Sequence, residues 1–271
     1  MLSQSVYIQK LFFFLFASAL LTTGCTKKAA NATAKPVESP KTSVGASSPK
    51  AITGSDAEAI TILKGYIDAM GGKEKMMSVK SMMTKSVANS PMGDITITQY
   101  VKNGKSAMKV EAGGTTVSEQ IFDGTNIYVS AMGQKQTLTD PSMVKAAKKQ
   151  AAIFSEIDQL INDKEIKKFG GLVELDGKKV NKITTIDEDK KETVQYFDPV
   201  SNLQVRTVST VDALGQKVTQ TMDFSDYKEV NGIKFPHSIK MSGGSVPFPM
   251  ELKITALMIN SDLPDALFKM N

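Results

Sequence analysis

Three regimes of hydrophobic patterning follow one another along the chain. The first is a nearly unbroken apolar run, Leu11 to Leu21, preceded by Lys10 and followed by Thr22-Thr23-Gly24-Cys25. It is shorter than the roughly 20 residues a membrane-spanning helix needs. Its order of basic flank, apolar stretch and small residues is that of a secretory signal peptide over residues 1–24. The second regime, Thr26 to Gly54, is rich in Ala, Lys, Thr, Ser and Pro, with almost no bulky apolar residues. Such a stretch buries too little surface to offset its ordering entropy, so residues 25–54 are expected to form a disordered tether. Its average span would be roughly 30 Å. The third regime, residues 55–271, has periodic apolar positions and enough length for one sizeable core.

Within that region the period changes. Ser55-Asp-Ala-Glu58 has the spacing of a capping box, and Ile60, Leu63, Ile67 and Met70 then recur at helical spacing up to Gly71-Gly72. A short helical turn over Lys73 to Met77 is expected next. Ile95 to Val101 alternates apolar and polar residues, as a half-buried strand does. Asn103-Gly104, Asp123-Gly124, Asp176-Gly177 and Asn231-Gly232 punctuate further alternating segments as hairpin turns. A second helix is expected from Asp140-Pro141-Ser142, with an apolar stripe over Met143, Ala147, Ile153, Phe154, Ile157 and Ile161. The pattern predicts a mainly β chain with helices (α+β): about ten strands in antiparallel meanders, curved into an incomplete barrel. A flat sheet of that size would leave long unprotected edges. The helical segments would lie over the barrel's open side as a lid.

Cysteine and charge narrow the setting. The single cysteine, Cys25, excludes an internal disulfide, so the fold must rest on burial. Its place directly after small residues resembles the lipobox of bacterial lipoproteins, which implies lipidation at Cys25 and attachment to a membrane. The usual lipobox has Leu three residues before the cysteine; here that residue is Thr22. An ordinary secretory signal with a stray thiol is the alternative. Residues 1–24 hold one charge, Lys10, so their removal takes the net charge from +5 to +4. The charges are spread rather than blocked, which gives nucleic-acid binding no support. Lys27 and Lys28 beside the anchor would favour an anionic membrane surface.

The opening helix ending in Met70-Gly-Gly72, the Phe122-Asp-Gly124 turn, Tyr196-Phe-Asp-Pro199 and Asp226-Tyr-Lys-Glu-Val-Asn-Gly-Ile-Lys-Phe-Pro-His237 resemble the outer-membrane lipoprotein-sorting proteins. These are the relatives of the carrier LolA, the receptor LolB and the regulator RseB. The resemblance implies an incomplete barrel with an apolar cavity under helices. It also implies binding of acyl chains, such as palmitate, or of lipidated proteins, by a monomer facing the periplasm at the outer membrane. The carrier's lid-holding arginine has no evident counterpart in Arg206. The receptor's membrane-inserting loop has its nearest candidate in Val246-Pro-Phe-Pro-Met250, with Phe248 at its centre.

A search for chemistry yields little. His237 is the one histidine, and no Gly-x-Ser-x-Gly elbow presents a serine to it. A zinc site would need more ligands than His237 and Cys25 offer. The paired glycines lack the strand–glycine–helix setting of a phosphate loop. Glu251 or Asp187 could act as a lone base, but carboxylates on strands are usually solvated. Neither cofactor nor metal is expected. The remaining signal is apolar capacity: 15 methionines and no tryptophan. Methionine is flexible and suits surfaces that accept varied apolar partners. Met76, Met77, Met82 and Met83 are expected near the first helical cover, and Met143, Ile153, Phe154 and Ile157 near the second. The leading expectation is a non-enzymatic binder of acyl chains or lipoproteins. A sensor or assembly module for a protein partner, and an enzyme subunit using His237, are the other classes.

Overall fold

The computed structural model describes residues 54–90, 93–131, 133–154, 157, 165–213, 216–244, 246 and 248–270. The expected leader, Cys25 and nearly all of the expected tether lie outside the described residues. Helix α1 (Ala57–Met70) and the short α2 (Lys73–Ser78) open the domain. Six strands follow: β1 (Ser81–Ser90), β2 (Gly93–Lys102), β3 (Lys105–Ala112), β4 (Thr115–Phe122), β5 (Ile127–Ala131) and β6 (Gln134–Leu138). Helix α3 (Pro141–Gln150) leads into the second run. This comprises β7 (Ile166–Leu175), β8 (Lys178–Ile186), β9 (Glu192–Phe197), β10 (Gln204–Ala213), β11 (Gln216–Val230), β12 (Ile233–Gly243) and β13 (Met250–Ile259). A 3-10 turn, Asp265–Phe268, ends the chain.

All thirteen strands form one sheet, more than the ten or so the alternation predicts. The order is two meanders back to back, β6 to β1 and then β13 to β7, joined where β1 pairs with β13. Strands β6 and β7 are the two edges and do not pair, so the sheet is an open barrel. The chain crosses between those edges through α3.

The hairpin turns hold where Asn-Gly and Asp-Gly predict them. Asn103 (φ 51) and Gly104 (φ 72) both have positive φ, as do Asp176 (φ 50) with Gly177 (φ 77). Type I′ turns require this at both central residues. The predicted capping box is replaced by another arrangement. Asp56 is the N-cap of α1, and no side chain caps the helix. Ser55 and Asp56 are drawn instead to β7. Ser55 Oγ accepts from Lys167 N (3.0 Å), and the Asp56 carboxylate accepts from Phe169 N (2.9 Å) and Lys168 Nζ (3.2 Å). The second helix does start as predicted, with Asp140 accepting from Ser142 N (2.9 Å) and Met143 N (3.2 Å). It is ten residues long and ends at Ala151, short of the stripe that the pattern extends to Ile161.

Two helices cover two parts of one face. Leu63, Tyr66, Ile67 and Met70 of α1 pack on Ile183, Phe197, Ile233 and Phe235. Met143 and Ala147 of α3 pack on Phe122, Ile127 and Val129 at the other end of the sheet. The register shows that this is the same face. Val129, Gln120, Met108, Gln99, Thr84 and Leu257 form one cross-strand row from β5 to β13. The opposite face carries a smaller cluster, in which Leu263 and Phe268 of the C-terminal segment pack on Ala107 and Ile121.

Candidate functional site

Between the two helix-covered patches lies a stretch of inner face that is not filled. It forms a partly open hollow of about 380 Å³. Its floor comes from β1, β2, β3, β11, β12 and β13, and its cover from Tyr66 and Met70 of α1 with Ile153 and Phe154 of the crossover. The wall is mostly apolar: Met82, Met108 and Met241 join Ile97, Ile239, Leu252, Ile254 and Leu257. Thr84, Ser86, Gln99 and Gln204 supply its few polar groups.

Local irregularities put these side chains on one face. Strict alternation would send Ile254 and Leu257, three residues apart, to opposite faces. The β1–β13 register shifts between Lys85 and Ser86, leaving Thr255 without a partner, so both leucine-like side chains turn inward. This is a β-bulge, and Thr255 Oγ1 donates to Lys85 O across it (3.2 Å). In β11, Asp226 has a positive φ of 53°, with the β11–β12 register in step on either side of it. Phe224 and Tyr227, also three apart, both reach the hollow. The Tyr227 hydroxyl is satisfied by donating to Gln204 O (2.8 Å), so this polar tip does not oppose an apolar occupant. Phe154 and Phe235 are stacked, with centroids 5.9 Å apart and planes 29° from parallel.

The predicted site residues separate into distinct places. Ile153 and Phe154 line the hollow. Ile157 and Met76 are buried in the core around α1. Met143 is buried under α3, against Phe122 and Val129. Met83 lies on the outer face beside the C-terminal cluster, and Met77 is 54% exposed. Phe248 is partly buried against Ala88, Val246 and Met250, so it packs on its own domain. Cys25 is outside the described residues. Of the four clustered methionines, Met82 alone reaches the hollow, because its neighbours Ser81 and Met83 alternate to the other face.

The candidates for chemistry have structural roles. His237 Nδ1 lies 2.9 Å from Phe235 O. Ser238 Oγ beside it donates to Glu251 Oε1 (2.6 Å). That hydrogen bond, aided by Lys253 and Lys240, holds the Glu251 carboxyl below the usual carboxylate range, which weakens it as a base. Asp187 accepts from the backbone N–H groups of Asp189 and Lys191 (2.9 Å each) and so closes a turn. Arg206 pairs with Asp223 and with Asp176 (2.9 Å), away from either helical cover. Among the described residues no group of three or more His, Cys, Asp or Glu is placed to hold a metal ion. No helix among them is long and apolar enough to cross a membrane.

Comparison with solved structures gives the fold a context. The chain is similar to a DUF1329 family protein from Desulfovibrio piger (14% identity, TM-score 0.53), covering 78% of this chain and 96% of that one. It is similar to an outer-membrane lipoprotein-sorting protein domain from Vibrio parahaemolyticus (13% identity, TM-score 0.53), with coverage of 78% and 96%. A LolA superfamily protein from Nitrosomonas europaea matches at 11% identity and TM-score 0.51, with coverage of 78% and 97%. No protein-family model and no curated protein matches the chain. At these identities the likeness establishes the fold: an open, LolA/LolB-like barrel.

Proposed function

We propose that this protein is a lipid-anchored component of the bacterial cell envelope that holds an acyl chain, free or carried by a lipidated protein, in the hollow between sheet and helices. The observation that carries the reading is the hollow itself. At about 380 Å³ it falls within the roughly 300–1,000 Å³ typical of small-molecule sites. Burying each methylene contributes about 0.8 kcal/mol, so part of one chain is a sufficient ligand. The methionines on several walls can repack around chains of different length. Tyr66, Met70 and Phe154 reach the ligand from α1 and the crossover, so these two segments act as its lid. No bond is made or broken, and the protein acts as a binder.

Lipidation at Cys25 would fix the domain to a membrane through the tether. A periplasm-facing position at the outer membrane fits a receptor or local carrier better than a diffusing shuttle. The test is native mass spectrometry of the purified protein together with uptake of labelled palmitate. Co-purifying lipid, or saturable uptake, supports the reading. A lipid-free protein that takes up no palmitate overturns it.

A further inference from the structure

The floor of the hollow carries a polar island that the methylenes of an acyl chain cannot satisfy. Thr84 of β1 and Gln99 of β2 are cross-strand partners, and both side chains line the hollow. Their neighbours in the same row are Met108 on β3 and Leu257 on β13. Along β1 the inward residue before Thr84 is Met82, opposite Val101, and the one after it is Ser86, between Ile97 and Ile254. Apart from Ser86, the side chains around the pair are apolar. Neither the Thr84 hydroxyl nor the Gln99 amide has a hydrogen-bond partner among the described residues. Ser86, Gln204 and Tyr227 differ from them in being engaged. Ser86 Oγ donates to Ile97 O (3.4 Å), Gln204 Nε2 to Thr207 Oγ1 (2.8 Å) and the Tyr227 hydroxyl to Gln204 O (2.8 Å).

None of the described residues that line the hollow is Lys, Arg, His, Asp or Glu. An ionised carboxylate drawn down to the floor would be buried without a counter-ion, which costs far more than burying a neutral polar group that is hydrogen-bonded. A plain methylene chain laid over the floor would displace water from the amide and the hydroxyl and leave both unsatisfied. An uncharged oxygen on the chain avoids both costs. A carbonyl oxygen can accept from the Gln99 NH2 group and from the Thr84 hydroxyl, and a ligand hydroxyl can accept from either or donate to the Gln99 amide oxygen. The pair is matched to an ester or an alcohol and not to a charge.

We infer that the hollow selects acyl chains bearing an uncharged oxygen, an ester carbonyl or a hydroxyl, and that Thr84 and Gln99 recognise it. The inference rests on the acyl-holding reading above. A free fatty acid is held less tightly, with its carboxylate left in water. The experiment is displacement of a fluorescent acyl probe from the full-length protein by 1-monopalmitoylglycerol and by palmitate, at a pH where palmitate is ionised. Monopalmitoylglycerol should bind about tenfold tighter. Thr84→Val and Gln99→Leu, which change shape little, should each weaken monopalmitoylglycerol about fivefold and leave palmitate unchanged. The melting temperature should not fall, because neither side chain gives up a hydrogen bond. Methyl palmitate and hexadecanol separate the two sources: whichever loses more affinity in the variants carries the oxygen that the pair takes. Binding of none of these ligands would overturn acyl holding itself, and the inference with it. Palmitate bound as tightly as monopalmitoylglycerol, or a preference that both variants retain in full, overturns the inference alone.

Discussion

Phe154 of the crossover stacks on Phe235 of β12, and both rings line the hollow. The contact ties the segment that bridges the sheet's two edges to the wall opposite. An aromatic pair of this kind contributes about 0.5–1.5 kcal/mol beyond its buried area. Phe154→Ala should therefore lower the melting temperature and, with the cover loosened, raise the rate at which a bound acyl chain leaves. Phe154→Leu should restore much of the stability and less of the residence time. Stopped-flow release of a fluorescent fatty acid, beside thermal unfolding, measures both. Unchanged release from Phe154→Ala would remove the crossover from the lid.

A hollow and a packed interior respond oppositely to added volume. Thr84 and Gln99 are cross-strand partners on β1 and β2, and both line the cavity. Enlarging a side chain in a filled core costs about 1–3 kcal/mol. Thr84→Phe should cost less than that, or stabilise, because the ring enters vacant space and removes apolar wall from water. The same substitution should abolish palmitate uptake. A strongly destabilised Thr84→Phe protein would mean that no vacancy exists there.

Those two residues also show why part of the site was not legible in the sequence. β1 reads Ser-Met-Met-Thr-Lys-Ser-Val-Ala-Asn-Ser, and the change to an alternating period at Lys80 announces it without setting a strand's bounds or its inward positions. A strand facing a hollow need not be apolar at every inward position, so Thr84 and Ser86 dilute the signal. The bulge at Thr255 shifts the inward phase within a strand, which a fixed period of two misses. Meeting of the floor strands depends on the β1–β13 pairing, a contact between residues far apart in the chain. By contrast, the Asn-Gly and Asp-Gly hairpins, the α1 stripe and the Asp140 cap are local and were legible. Ile153 and Phe154 were visible as apolar stripe residues. Met143 shared their stripe but sits on α3, over β4 and β5, because the helix ends at Ala151.

Asp56 joins α1 to the edge strand β7 and makes that junction acid-sensitive. Its carboxyl is held below the ordinary range by the N–H of Phe169 first and the Lys168 ammonium second, against a smaller opposing effect of burial. A carboxyl whose folded pKa lies below its unfolded value, about 3.9, favours the folded state fully above that value. The contribution fades as pH falls below about 4, through the folded pKa. Asp56→Asn should thus melt lower than the parent at pH 7, and the gap should narrow toward pH 2.5. Thermal unfolding of both proteins across that range decides it. A gap that is constant with pH would show that the carboxylate charge contributes nothing to the junction.

The Met70-Gly71-Gly72 corner sets how α1 sits on the sheet, and its two glycines should tolerate substitution unequally. Both have positive φ, 135° at Gly71 and 92° at Gly72. A Cβ at Gly72 meets nothing within 4 Å, whereas at Gly71 it would lie 2.4 Å from Gly232 O in the β11–β12 turn. Gly72→Ala should cost only the backbone strain, about 1–3 kcal/mol. Gly71→Ala must also push the helix end off that turn, and should cost at least about 3 kcal/mol because backbone rather than side chain has to yield. Since Tyr66 and Met70 precede this corner and cover the hollow, Gly71→Ala should impair palmitate uptake under conditions where the protein is still folded. Gly72→Ala should leave uptake intact. Chemical denaturation and uptake assays on the two variants provide the comparison. Equal losses would mean that the close approach at Gly232 does not seat the helix.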